Sequence, residues 1–162
     1  MFFLNQKSLS VWLRVICAVG MLCTLFLSFM VMPMLGRAIL YEYEELAWLY
    51  WPCLIFFWLT AAAVLSFLVL VWLIARDIGR DRSFTFVNAR RLGACSVLAL
   101  ADTLLYASAG CVLMAFRFVN FALLVLGVIL CAVGAAVSVA CAVLSHLTRK
   151  AADMQSENDL TV

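Results

Sequence analysis

From Phe118 to Ser145 no side chain carries a charge, and the same holds from Leu46 to Ala75. Each run exceeds the ~20 apolar residues that take a helix through a hydrocarbon layer about 30 Å thick. In lipid, only helices and closed barrels satisfy every backbone N–H and C=O group. A chain with two such runs cannot bury its apolar surface in one water-facing core. Composition agrees: 68% of the 162 residues are hydrophobic and 12% charged, against roughly 45–50% and about 25% in soluble domains. The length allows one domain, and a net charge of +2 is too small to expect direct nucleic-acid binding.

Two more apolar stretches complete the set. One lies between Arg14 and Arg37, and the other between Leu92 and Phe116 is broken only by Asp102. The expected fold is therefore all-α, an integral membrane four-helix bundle. Its spans fall at about 12–32, 52–75, 92–116 and 119–145, in a transmembrane domain 1–150 followed by a tail 151–162. Pro52 is placed at the start of the second span because proline suits a helix's first turn. Trp48, Tyr50 and Trp51 then sit at the interface. Residues 33–50, with Glu42, Glu44 and Glu45, form an outer connection. A cleavable signal peptide is rejected: the first apolar run is too long, and Met34-Leu35-Gly36-Arg37-Ala38 offers no clean small-x-small cleavage pattern.

The cations give an orientation. Lys7, Arg14, Arg76, Arg80, Arg82, Arg90, Arg91, Arg149 and Lys150 fall on one side, and Arg37 and Arg117 on the other. By the positive-inside rule, both termini and the hairpin between the second and third spans are cytoplasmic.

Seven cysteines stand singly, with no C-x-x-C pair. They read as small packing residues rather than redox or zinc ligands, so neither metal nor cofactor is expected. The one histidine, His146, has no nucleophile and base around it in sequence, so enzymatic activity is not expected. Asp102 is the sharpest break in the apolar pattern, because a mid-span carboxylate is costly and marks a polar path or a buried pair. Thr103 and Tyr106 on its own helix, and Thr60 or Ser66 on the second span, are the groups expected to compensate it. On the fourth span Gly127, Cys131 and Ala135, and one register over Gly134, Ser138 and Ala142, form small-residue stripes that suit close packing against the first or third span.

In the cytoplasmic hairpin, Gly79 is expected to end the second span as a left-handed cap. Ser83 or Thr85 caps the third. Phe84, Asn88 and Arg91 recur at helical spacing and would share one stripe, followed by Leu92. The surrounding arginines suit anionic headgroups or a protein partner. The tail begins as a continuation of the fourth span, then turns polar and acidic, a composition that is usually disordered. Its end, Glu157-Asn158-Asp159-Leu160-Thr161-Val162, carries apolar residues that could fill pockets on a partner.

The pattern of Gly79, Phe84, Asn88, Arg91 and Leu92, together with that closing hexapeptide, resembles the YoaS-like bacterial membrane proteins, domain of unknown function 2975. Ser83 stands where that family's pattern has proline. The resemblance implies four spans with both ends inside, a bacterial plasma (inner) membrane location and no assigned catalysis. It also implies a small helix-turn-helix regulator as a soluble partner. The leading functional reading is a non-enzymatic membrane protein whose hairpin and tail, Phe84, Asn88, Arg91, Leu92 and Glu157 to Val162, engage that partner. The alternative is a small transporter or channel component using Asp102, with a homo-oligomer, most simply a dimer, as the working unit.

Overall fold

A computed structural model describes residues 6–80, 83–116 and 121–159; at Gln6, Lys7, Leu46, Asn158 and Asp159 it describes the backbone. The elements are α1 (Gln6–Phe26), a π-helical segment (Leu27–Val31), α2 (Met32–Glu42), a 3-10 turn (Glu44–Leu46), α3 (Ala47–Ile78), α4 (Phe86–Ala115) and α5 (Phe121–Asp159). Residues Ser8–Glu42 run as one interrupted helix, which with α3, α4 and α5 makes four helices long and apolar enough to cross a membrane. Their apolar windows are only 0–11% buried inside the protein. An outward surface so apolar, on helices of this length, is what a hydrocarbon layer suits.

The bundle is open. Helix α1 packs on α3, α3 on α4, and α4 on α5, while α5 meets no other element among the described residues. The side chains at these contacts are small or hydroxylic: Cys17, Thr60, Ala75, Ala89, Cys95 and Ser138 are buried. Without a hydrophobic drive between helices in lipid, close backbone approach is what such residues provide. The α4–α5 seam shows it. Ser145 donates to Ala89 O at 2.6 Å, and Ser138 to Ser96 O at 2.9 Å. A methyl added at Gly134 would run into Thr103. The Gly134 stripe is thus used within the molecule, against the third span.

Helix bounds depart from the expected ones in three places. The outer connection shrinks to Tyr43 and the turn Glu44–Leu46, because Pro33 does not stop the first helix. Met32 N–H bonds to Leu27 O, five residues back, so in this wider register Pro33 would be the donor to Ser28 O and has no N–H to give. The indole N–H of Trp58 supplies that bond instead, at 3.2 Å. Second, α3 begins at Ala47, placing Pro52 inside the helix. One turn past the start, it removes a single backbone bond. Third, α5 stays helical to Asp159, where the acidic tail was expected to be disordered. At 1.5 Å per residue its 39 residues reach roughly 58 Å, about twice the hydrocarbon thickness.

Candidate functional site

Most of the polar and charged residues singled out above lie at one end of the molecule, and the packing brings several together there. The bond from Ser145 to Ala89 O sets the polar end of α5 beside the start of α4. The Ser10 hydroxyl donates to Ala75 O at 2.7 Å, so the start of α1 joins the same end. Arg14, Arg76, Arg80, Arg90, Arg91, Arg149 and Lys150 are therefore grouped at this end, and Glu42, Glu44 and Glu45 lie at the other.

The α3–α4 hairpin is built as a clasp. Gly79 N–H bonds to Ala75 O at 3.3 Å, yet its φ lies outside the left-handed region, contrary to the cap expected there. What the position requires is space: a Cβ would come within 2.5 Å of Ser10 Oγ. Across the turn, Thr85 takes an extended backbone and caps α4, its hydroxyl accepting from Asn88 N–H at 3.3 Å. Asn88, only 1% exposed, sends its side-chain N–H to Ser83 O at 3.3 Å. Its side-chain oxygen accepts from Arg91 at 3.0 Å. Arg91 in turn bonds Asp77 at 2.5 Å, with both side chains about four-fifths buried. A charge-assisted bond in that setting is among the stronger polar contacts a protein makes.

The candidate stripe therefore divides. Phe84 precedes the helix, because Thr85 is its cap, and so does not share a helical face with Asn88 and Arg91. Asn88 and Arg91 are turned inward and committed to the clasp, and Leu92 is half-buried. Phe84 stays open at 57% exposure, with Phe86 and Val87 near it at 50% and 56%. Asp77 was missed by sequence reasoning. Its only signal was a carboxylate in the last turn of the helix before the hairpin, on the opposite arm from Arg91.

On the tail, Ala152 is buried two turns past Ser145, so this part of α5 still packs against protein. Met154 is 58% exposed, and Glu157 lies on the exposed last turn. Asn158 and Asp159 are helical, while Leu160, Thr161 and Val162 lie outside the described residues.

Asp102 sits midway along α4, half-buried. Its Oδ1 is buried without a hydrogen-bond partner. The hydroxyls expected to compensate it are used elsewhere: Thr103 donates to Ala99 O, Thr60 to Phe57 O and Ser66 to Ala62 O. The Tyr106 ring packs edge-on against Phe56, centroids 5.3 Å apart. Among the described residues no three His, Cys, Asp or Glu side chains gather as a metal site, and all seven cysteines are free.

No curated protein and no solved structure matches this chain. The model of a family described as a protein of unknown function, DUF2975, matches residues 34–162, taking in the whole clasp and the whole of α5. The chain belongs to the DUF2975 family.

Proposed function

We propose that this is a non-enzymatic, multi-pass protein of the bacterial plasma membrane, with both termini and the clasp in the cytoplasm. Its cytoplasmic end presents a docking surface to a soluble partner, of which a small helix-turn-helix regulator is the kind implied by the family resemblance. The observation that carries the reading is that Phe84, Phe86 and Val87 are left open beside the hydrogen-bonded clasp, with Met154 open on the helix that runs past it. Exposed aromatic and methionine side chains grouped beside a polar frame are typical anchors of an interface. The arginines around them suit an acidic partner face or anionic lipid.

The test is recovery of partners with the full-length chain in mild detergent. Phe84→Ser should abolish recovery of the partner while leaving helix content and detergent stability unchanged, and deleting residues 157–162 should weaken it. Equal recovery from wild type and both variants would refute the docking surface.

One observation favours a second reading: the partnerless Oδ1 of Asp102 within an apolar helix. A carboxylate so placed suits proton or cation coupling in a small transporter or channel component. Proteoliposome flux lost in Asp102→Asn would support that reading, and wild-type vesicles without flux would eliminate it.

A further inference from the structure

At the end opposite the clasp, the π-helical segment has a second consequence. One residue inserted into a helix turns everything after it by about 100°. Here that turn directs Gly36, Ile39 and Leu40 of α2 toward α3, where Tyr50, Leu54 and Phe57 face them across a half-open groove-like cavity of about 240 Å³. Gly36 makes one wall possible: a Cβ there would lie 2.7 Å from the Tyr50 ring. The ring therefore lies on the α2 backbone, and Trp51 packs edge-on against it at 5.7 Å. Deeper in, the geometry is pinned by the bond from Trp58 to Ser28 O and by the stacking of Trp58 on Phe29 at 6.1 Å.

We infer that this cavity is a binding site for a single hydrocarbon chain, that of a membrane lipid or a free fatty acid. The lining is almost wholly apolar. A groove this apolar that opens between membrane-spanning helices is filled more favourably by hydrocarbon than by water. The cavity runs from the interfacial Tyr50 toward mid-span Phe57 between two membrane-length helices, so what lies beside it is acyl chain. No charged side chain contributes to the lining, so the site reads the chain and not the headgroup. The inference rests on the membrane reading and is independent of any cytoplasmic partner.

The experiment uses the full chain in phosphatidylcholine vesicles doped with either of two probes, a phosphatidylcholine or a free fatty acid, each carrying a mid-chain diazirine. After photolysis, adducts are mapped by mass spectrometry. The expected result is severalfold enrichment at Gly36, Ile39 and Leu54 over Val128 and Val139, which are lipid-facing on α5 at 61% and 63% exposure. Ile39→Trp should fill the cavity and remove the enrichment while leaving labelling of α5 unchanged. Leu40→Trp repeats the test if the first variant does not fold. Enrichment by both probes shows that the chain alone is recognised, and enrichment by one identifies the source. Labelling no higher than at Val128 and Val139, or enrichment that survives filling in a folded variant, overturns the site.

Discussion

Asn88 shows how one buried amide can organise a turn. Its side chain bridges Ser83 O and Arg91, and its own N–H takes the Thr85 cap. Asn88→Ala keeps the last of these and removes the other two. The variant leaves Ser83 O and one guanidinium N–H without their partner, which costs about 1–3 kcal/mol for a buried group. Thermal loss of helical circular dichroism in mild detergent should show the drop. Phe84→Ser, which opens no buried bond, should melt with the wild type. At this scale the sequence was legible in kind but not in direction. The helical spacing of Asn88 and Arg91 marked them as special, and Thr85 was readable as a cap. Nothing in a single sequence said that the amide faces inward, because that depends on where Asp77 arrives from the other side of the turn.

Elements are governed by where backbones must come close. Gly134 lies on α5 where a Cβ would meet Thr103, whereas Gly127 on the same helix has nothing within 4 Å of that position. Gly134→Ala should therefore destabilise the α4–α5 pair by about 1–3 kcal/mol through overpacking. Gly127→Ala should be neutral or gain up to about 1 kcal/mol from helix propensity. Equal melting temperatures for the two variants would refute the seam. A parallel case is Trp58→Phe, which keeps an aromatic ring near Phe29 but removes the N–H that satisfies Ser28 O together with part of the ring surface. A loss of at least about 1 kcal/mol is expected, the hydrogen bond between membrane helices supplying about that much and the lost ring contact adding to it, read from the same unfolding curves. The small-residue stripe that faces Thr103 was readable from its spacing of four. The π segment was not, because Pro33 read as a helix end, and its rescue depends on an indole 30 residues away. The helical tail escaped for a related reason: acidic composition argues for disorder, but α5 enters it already nucleated, and continuing a helix is far easier than starting one.

The whole molecule is an open row whose two ends differ in charge and in finish. One end has the clasp, the buried Ser10 contact and the helix that runs past the hydrocarbon zone. The other has a tight acidic turn beside an apolar cavity. The four apolar runs were plain in the sequence, because lipid demands length and hydrophobicity that no other role explains. Which helices pair was not, since residues apolar on every side carry no periodic mark of the face that meets a neighbour. Orientation remains a matter of cation placement and is directly testable. In a background with all seven cysteines replaced by serine, single cysteines at Glu44 and at Ser156 occupy opposite ends of the row. With the cation-rich end retained in the cytoplasm, a membrane-impermeant maleimide applied to intact cells should label Glu44→Cys, and Ser156→Cys only after the cells are lysed. The reverse pattern would place the clasp outside, and with it Phe84 beyond the reach of any cytoplasmic regulator. Labelling of both in intact cells would mean that the chain does not cross four times, since an odd number of traverses is what puts the acidic turn and the end of α5 on opposite sides.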